Sequence, residues 1–223
     1  MVEPRLAKRL AGTPATRHKP KKAAPRRRNR ALPYRQGDLD GLCGVYAIVN
    51  AIRRLRPNLT EPQAAALFAN LMRAVRSLDN ARTAIANRGL THEQLHRLID
   101  AARKHMLKAH QFELIVHEVP AEIRRQWSVT ALWKLIGRHV SRNRVVLLGI
   151  FGRHDHWTLA VGITRGQITL YDSGGLRVLR RSLCAVRRQR DRPGLNVIKA
   201  RDVVALGYRR TVPSGFKLEK SPP

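Results

Sequence analysis

Acidic residues are scarce in this chain: 15 Asp and Glu stand against 44 Lys and Arg among 223 residues, which gives a formal net charge of +29. A surplus of this size is typical of proteins that meet nucleic acid, an anionic membrane surface or an acidic protein. Aromatic residues make up only 5% of the chain. They show no stacking pattern among the basic residues, which disfavours a sequence-specific RNA-binding module. The charge alone therefore names no partner.

Long apolar runs are missing as well, because arginine interrupts every candidate before it reaches the roughly 18 residues that a membrane span needs. We therefore expect no membrane span. The positive residues near the start are not followed by the apolar segment of a secretory signal peptide. The two cysteines, Cys43 and Cys184, cannot form a disulfide framework. The expected location is the cytoplasm, or export or delivery to a host cell without a Sec signal.

The basic residues are unevenly distributed along the chain. Residues 1–30 hold eleven bases, one acid and four prolines without apolar periodicity, which is the composition of a disordered arm. This arm offers a surface to nucleic acid. The remaining residues still carry a net charge of +19, and the hydrophobic fraction of 43% is sufficient for a core. We expect one domain over residues 31–212 and a C-terminal tail over residues 213–223.

Helical periodicity dominates the first half of the chain. Apolar residues recur at helical spacing between Cys43 and Ile52, so a buried helix is expected to begin near Cys43 and to end before Pro57. Capping-box patterns at Thr60–Gln63 and Thr91–Gln94 predict the starts of two further helices. The next predicted elements are a strand over residues 112–119 and an amphipathic helix over residues 129–140.

The second half of the chain changes to the period of strands. Residues 145–151 form a continuous apolar run that is typical of a central strand. Residues 157–163 alternate in hydrophobicity, and a short turn leads to a second strand over residues 167–172. Shorter strands are expected at Val197–Ile198 and Val203–Val204. Helices first and strands afterwards predict an α+β fold.

The predicted hairpin can bring two polar residues together. Alternation places Trp157 and Ile163 on one face of its first strand and His156 on the other. If Ile163 pairs with Gln167 across the turn, His156 lies diagonal to Asp172 on the same face. A register change of one residue would put them on opposite faces. The hairpin therefore permits a His156–Asp172 pair without requiring it.

Cys43 completes a set of residues suited to nucleophilic catalysis. The thiolate is the reactive form of cysteine, and a helix N-terminus and a nearby imidazolium both favour it. Cys43 meets the first condition and His156 can meet the second, with Asp172 fixing the ring's tautomer. Gly44 leaves room for a substrate backbone, and the backbone N–H of Cys43 is available to an oxyanion hole. Cys184, in an arginine-rich stretch, is interpreted as a structural thiol.

Three short motifs, Asp38–Ala47, His156–Trp157 and Tyr171–Ser173, resemble those of the papain-like cysteine peptidase superfamily. Within it, the bacteriocin-processing and ubiquitin-like-protein peptidases have similar Cys-Gly, His-Trp and Asp-Ser pairs. The order Cys, His, Asp follows papain, whereas ubiquitin-like-protein peptidases usually place the cysteine last. The resemblance implies a papain-like fold in which a helix bearing Cys43 packs on an antiparallel sheet bearing His156 and Asp172.

The resemblance also implies an activity. It predicts a thiol peptidase or isopeptidase that acts through an acyl-enzyme on a polypeptide, with acidic or ubiquitin-like substrates as the candidates and without a cofactor. The family usually places an oxyanion glutamine six residues before the cysteine, where this chain has Gly37. Gln36 lies one residue further away, so the candidates for this role are Gln36, Asp38 and a backbone N–H.

Two other functions compete with this interpretation. His92, Glu93 and His96 match the H-E-x-x-H pattern of zinc metallopeptidases, in which two imidazoles bind the metal and the glutamate is the base. The pattern does not identify a third ligand, for which Glu118, beyond a predicted strand, is a candidate. The pattern follows directly after the Thr91 cap, so its residues also suit an ordinary first helical turn. The second alternative is a non-catalytic basic protein on a peptidase-like scaffold that binds nucleic acid or an acidic partner.

Overall fold

Helices and strands are segregated along the chain. The computed structural model describes residues 32–37, 41–78, 89–187 and 194–210, all within one compact unit of residues 31–223. The predicted arm at residues 1–30 and tail at residues 213–223 lie outside the described residues. None of the described helices is both long enough and apolar enough to cross a membrane.

The described residues contain five helices and eight strands. The helices are α1 (Cys43–Leu55), α2 (Glu61–Arg76), α3 (His92–His110), α4 (Ala121–Arg125) and α5 (Val129–Val140). The strands are β1 (Phe112–Glu118), β2 (Val145–Gly152), β3 (His156–Ile163), β4 (Gln167–Leu170), β5 (Val178–Arg180), β6 (Cys184–Ala185), β7 (Asn196–Val197) and β8 (Val203–Arg210). The predicted α+β class is confirmed.

The sheet has the strand order β1-β8-β2-β3-β4-β5, and every neighbouring pair in it is antiparallel. Helices α1, α2 and α3 cover one face, and α5 covers the other. Alternate residues of β2 enter the two cores: Leu147 faces the α1 side and Leu148 faces the α5 side. Because β2 is buried on both faces, it reads as a continuous apolar run, and its prediction as a central strand is confirmed.

The helix starts follow the predicted caps. Thr60 and Thr91 each accept a hydrogen bond from the backbone N–H of the glutamine three residues on, and that glutamine's side chain accepts from the threonine's own N–H. These reciprocal bonds satisfy N–H groups that a helix leaves without partners. Helix α1 begins at Cys43 and ends at Leu55, as predicted.

A β-bulge corrects the predicted hairpin register. Ile163 pairs with Ile168 and not with Gln167, whereas Ala160 pairs with Leu170 as the predicted register requires. The bulge between Ala160 and Gly162 adds one residue to β3. The extra residue also moves Ile163 to the α5 face, opposite to the face that alternation predicted. The register is therefore as predicted at the end of the hairpin that carries His156, and wrong at the turn.

Other boundaries also differ from the predictions. The second hairpin strand ends at Leu170, because Asp172 leaves the ladder to bind backbone N–H groups of the following loop. The strand expected at Val203–Val204 runs on to Arg210 and pairs with both β1 and β2. The second half of this strand is partly polar, so the apolar pattern of the sequence predicted only its beginning. Helix α4 was not predicted, and no residue of it is buried.

Gly149 provides a test of this packing. A Cβ at Gly149 would lie 2.9 Å from the Asp202 Cβ and 3.1 Å from the Trp157 ring. We expect Gly149→Ala to lower the free energy of unfolding by about 1–3 kcal/mol, because the added methyl group would overlap both neighbours and force them to shift. Urea unfolding measures the change. Gly166→Ala is the matched control, since nothing lies within 4 Å of that position, and a loss of equal size there would contradict the prediction.

Candidate active site

Three segments meet at one edge of the sheet: the start of α1, the start of β3 and the loop after β4. Strands β3 and β4 are antiparallel, so the beginning of the first and the end of the second lie at the same edge. Helix α1 packs on the face of the sheet that carries Trp157. The backbone N–H of Trp157 donates a hydrogen bond of 3.5 Å to the Sγ of Cys43. This arrangement brings Cys43, His156 and Asp172 to the same place.

Cys43 is the first residue of α1 and is buried. The short segment at Gly89 and Leu90 covers it, because a Cβ on Gly89 would lie 3.9 Å from the thiol. A Cβ on Gly44 would lie 2.7 Å from the Leu90 side chain, so glycine permits this close approach. The Leu90 carbonyl accepts a hydrogen bond of 2.8 Å from the Trp157 indole. The thiol is therefore enclosed by fixed backbone.

His156 and Asp172 form a hydrogen-bonded pair. His156 Nε2 lies 2.7 Å from Asp172 Oδ2. The other carboxylate oxygen accepts backbone N–H bonds of 2.9 Å from Gly174 and Leu176. The Asp172 carboxylate is fully buried, whereas the His156 ring is 19% exposed. The loop thus holds the carboxylate rigidly behind a ring that reaches the surface.

The ionisation of this pair follows from its contacts. Burial alone would lower the pKa of His156, but hydrogen bonds to Asp172 and Cys43 and the charges of both raise it to about 9. Burial alone would raise the pKa of Asp172, but the His156 ring and the N–H of Leu176 hold it below its ordinary value. At neutral pH the pair is an imidazolium beside a carboxylate. Because Nε2 faces Asp172, Nδ1 is the nitrogen left for the thiol.

Gln36 is held against the loop that carries Asp172. Its backbone N–H donates to the Ser173 carbonyl at 3.2 Å, and the Ser173 hydroxyl donates to the Gln36 side-chain oxygen at 3.5 Å. Gln36 thus lies against Ser173, the residue that follows Asp172. The other candidate, Asp38, lies outside the described residues.

The residues of the zinc pattern lie at the start of α3. The rings of His92 and His96 are 4.3 Å apart, and His96 Nδ1 is 3.9 Å from a Glu118 oxygen. Glu93 is exposed, and its pKa is lowered by hydrogen bonds to its own backbone and to Thr91, which is ordinary behaviour in a first helical turn. Within the described ranges, no three His, Cys, Asp or Glu side chains are grouped so that they could hold a metal ion.

Cys184 differs from Cys43 in its surroundings. It is buried in the core on the α5 side, and its thiol donates to the Arg180 carbonyl at 3.3 Å. Burial raises the pKa of Cys184 to about 11. No histidine ring is among the causes of this shift, so the thiol stays protonated at neutral pH.

An open groove runs beside the exposed edge of the His156 ring. Its volume is about 440 Å³. Its lining is formed by His154, Asp155, His156, Asp172, Gly174, Gly175 and Leu176. A Cβ on Gly174 would lie 3.6 Å from Cε1 of the ring, so glycine at this position keeps that part of the groove open. A substrate backbone could therefore approach the ring along this groove.

Several groups that build the site have no direct signal in the sequence. The backbone N–H of Trp157, the Leu90 carbonyl and the N–H groups of Gly174 and Leu176 all belong to the main chain, so residue type does not reveal them. The one available signal was the Asp-Ser-Gly-Gly run at residues 172–175. An aspartate before such residues favours a turn in which its side chain binds following N–H groups.

No family model, curated protein or solved structure matches the chain. The interpretation of the site therefore depends on its own geometry.

The raised pKa of His156 predicts a pH-dependent stability. Its ordinary value is 6.5 and its folded value is about 9, so folding favours the protonated ring. This contribution is fully present below pH 6.5 and is lost as the pH rises through about 9, at a cost of about 3 kcal/mol. Urea unfolding at pH 6.5 and pH 9.5 measures it. His156→Gln should lose this part of the pH dependence, and an unchanged dependence in that variant would contradict the assignment.

Proposed function

We propose that this chain is a cysteine hydrolase of papain-like arrangement, a peptidase or isopeptidase. Cys43 is the nucleophile, His156 the general base and acid, and Asp172 the carboxylate that orients the ring. The observation that carries the proposal is the 2.7 Å hydrogen bond between His156 and Asp172 on a ring whose pKa also responds to the Cys43 thiol. A nucleophile, a base and an orienting group in one chain of contacts are the parts that such catalysis needs.

The proposed reaction has two steps. The Cys43 thiolate attacks the substrate carbonyl, the Sγ–C bond forms, and His156 gives its proton to the leaving amine as the C–N bond breaks. Water then attacks the thioester and gives a proton to His156. The C–S bond breaks, the acid product leaves, and the thiolate and imidazolium are restored. Asp172 keeps the ring in one orientation throughout and stabilises its positive form.

Negative charge on the attacked oxygen needs donors. The first N–H groups of a helix have no partner within it, and Cys43 is the first residue of α1. Its N–H is therefore suited to the oxyanion, with the helix dipole adding to the attraction. Gln36, held at the Ser173 loop, is the proposed side-chain donor.

The charge of the chain supports a substrate class. A net charge of +29 attracts acidic polypeptides and raises their local concentration at low ionic strength. We therefore include acidic polypeptide chains among the proposed substrates, which also covers acidic ubiquitin-like proteins. The same field supports binding of nucleic acid as a separate property of the basic residues.

The two cysteines provide an internal test of thiol activation. Cys43 and Cys184 are 6% and 7% exposed, so access alone predicts similar reactivity. We expect iodoacetamide at pH 6 to alkylate Cys43 at least about 100-fold faster than Cys184, because only Cys43 has an imidazolium partner. Mass spectrometry of the two peptides gives both rates. His156→Ala should remove most of the difference, and equal slow labelling of both thiols would refute activation.

Hydrolysis itself can be measured with a denatured acidic polypeptide, by mass spectrometry of new termini. We expect cleavage that is abolished in Cys43→Ala and reduced at least about 100-fold in Asp172→Asn, since the amide no longer fixes the ring's tautomer. Cleavage should persist in a chelator. Cleavage that survives Cys43→Ala but stops with the chelator would instead favour the metallopeptidase pattern at His92 and His96.

A further inference from the structure

A cluster of basic side chains lies on the α5 face of the sheet, where β8 runs between β1 and β2. Ala205 of β8 belongs to the core on the α5 side, so Gly207, two residues further along the strand, lies on the same face. His117 of β1 pairs with Ala205 and therefore shares this face. The pairing of β2 with β8 places Arg144, the residue before β2, beside Gly207.

Glycine at position 207 lets two side-chain nitrogens approach the same point. A Cβ on Gly207 would lie 3.3 Å from the Cγ of Arg144, so the glycine leaves room for the arginine side chain to cross β8. The same Cβ position is 3.6 Å from Arg144 Nε and 3.6 Å from His117 Nε2. Phosphate oxygens accept hydrogen bonds from nitrogen at about 2.9 Å. The two nitrogens are therefore close enough together to contact one phosphate group.

His139 of α5 orients the guanidinium of Arg144. Its ring is buried, and its ring centre lies 5.8 Å from that of His117. His139 Nδ1 is 3.4 Å from Arg144 Nη1. Burial and then the charge of Arg144 lower the pKa of His139 to about 4, so at neutral pH the ring is uncharged and Nδ1 can accept from the arginine. Arg144 is thus held by a partner that leaves its positive charge uncompensated.

Further positive charge surrounds this pair. Arg138 and Arg142 lie close enough for their charges to lower the pKa of His139. Within the described ranges, no carboxylate forms an ion pair with Arg138, Arg142 or Arg144. Because these like charges repel one another, an anion is the ligand that the cluster attracts most strongly.

The helix dipole accounts for only part of the cluster. A helix C-terminus favours basic side chains, which explains Arg138 in the last turn of α5. It does not explain Arg144 and His117, which converge over a strand of the sheet. Glu113, which lies on the same face of β1, is 3.9 Å from Arg209 and balances that arginine instead.

We propose that Arg144 and His117 form a binding site for a phosphate group, with Arg138 and Arg142 adding to the attraction. The planar guanidinium matches the geometry of phosphate oxygens and remains charged at every physiological pH. The group can belong to the backbone of a nucleic acid or to a small phosphate-bearing molecule, and the experiment below distinguishes these two sources.

The proposed phosphate site is remote from the candidate active site. Ile150 of β2 pairs with His156, whereas Arg144 precedes Val145 at the other end of the same strand. Five residues of a strand span about 17 Å. The phosphate site therefore does not depend on the proposed hydrolase, and a ligand bound there leaves Cys43 accessible to its own substrate.

Inorganic phosphate titrated into the full chain tests the site directly, with the ring protons of His117 observed by NMR. His117→Gln identifies these signals by removing them. Burial and then the charges of Arg144 and Arg142 lower the pKa of His117, so a bound anion should raise it. We expect a saturable shift of the His117 signals and phosphate binding about tenfold weaker in Arg144→Gln. Arg76→Gln, at an exposed position of α2 on the opposite face of the sheet, is the matched control.

A labelled DNA duplex distinguishes the two sources of phosphate. If the site binds a nucleic acid backbone, Arg144→Gln should weaken duplex binding clearly more than Arg76→Gln and reduce the salt dependence by about one phosphate contact, as measured by fluorescence anisotropy. If the site binds a small molecule, the two variants should bind the duplex equally while inorganic phosphate still distinguishes them. Either pattern supports the phosphate site.

Three results would overturn it. The first is a lack of any Arg144-dependent difference in both phosphate and duplex binding. The second is a shift of the His117 signals that persists unchanged in Arg144→Gln. The third is polyglutamate binding that depends on Arg144 as strongly as duplex binding does, because it would show attraction to negative charge alone.

Folding and catalysis are controlled separately. Circular dichroism and thermal melting establish that each variant is folded. If Arg144→Gln does not fold, Arg144→Lys replaces it and should lose part of the phosphate affinity, since lysine keeps the charge without the planar guanidinium. Iodoacetamide labelling of Cys43 should be unchanged in these variants, so failure of the phosphate site and failure of the proposed hydrolase are distinguishable.

Discussion

The position of Trp157 is the constraint on which the site depends. Its indole N–H binds the Leu90 carbonyl, its backbone N–H binds the Cys43 thiol, and its ring lies against Gly149 of β2. A single buried residue thus joins the start of α1, the segment over the thiol and the centre of the sheet. His156 directly precedes Trp157 in the chain, so the contacts that fix Trp157 also fix the backbone position from which the imidazole extends. Glycine at 149 is part of the same arrangement, since any larger side chain would displace the ring.

Electrostatics in this chain oppose a charged histidine, and His156 departs from that trend. Among the described histidines with shifted pKa values, five are lowered, in each case chiefly by burial: His96, His105, His110, His117 and His139. Neighbouring arginines add to the lowering in four of them. His156 is buried too, yet its pKa rises, because a carboxylate lies 2.7 Å from its ring. Acidic residues are few in this chain, and one of them, Asp172, lies where it outweighs the effect of burial on the pKa of His156.

Much of the fold could be predicted from local chemistry. Caps at Thr60 and Thr91, the two-sided burial of β2 and the start of α1 at Cys43 each follow from neighbouring residues. The polar half of β8 could not, because its pairing with β1 depends on residues about ninety positions away in the chain. The bulge in β3 has no signature in residue type either. It changes the face of the sheet on which the Ile163 side chain lies, and the alternation of apolar and polar residues does not reveal an added residue.

The candidate site shows the same division between side chains and main chain. Its side chains could be proposed from the order of three motifs and a hairpin register that holds at Ala160 and Leu170. Their supports are the Leu90 carbonyl, an acceptor that any residue can supply, and the N–H groups of Gly174 and Leu176, donors that any residue except proline can supply. The enclosure of Cys43 and the burial of Asp172 are consequences of chain path and not of composition.

The asymmetry of the His156–Asp172 pair argues for a role in chemistry over a role in stability. Apolar residues often replace a buried ion pair without loss of stability, so the pair adds little as a structural device. Here the carboxylate is fully buried under three donors, while the ring is 19% exposed at a groove of about 440 Å³. A rigid anchor behind a reachable base is the geometry that proton transfer to a bound substrate requires.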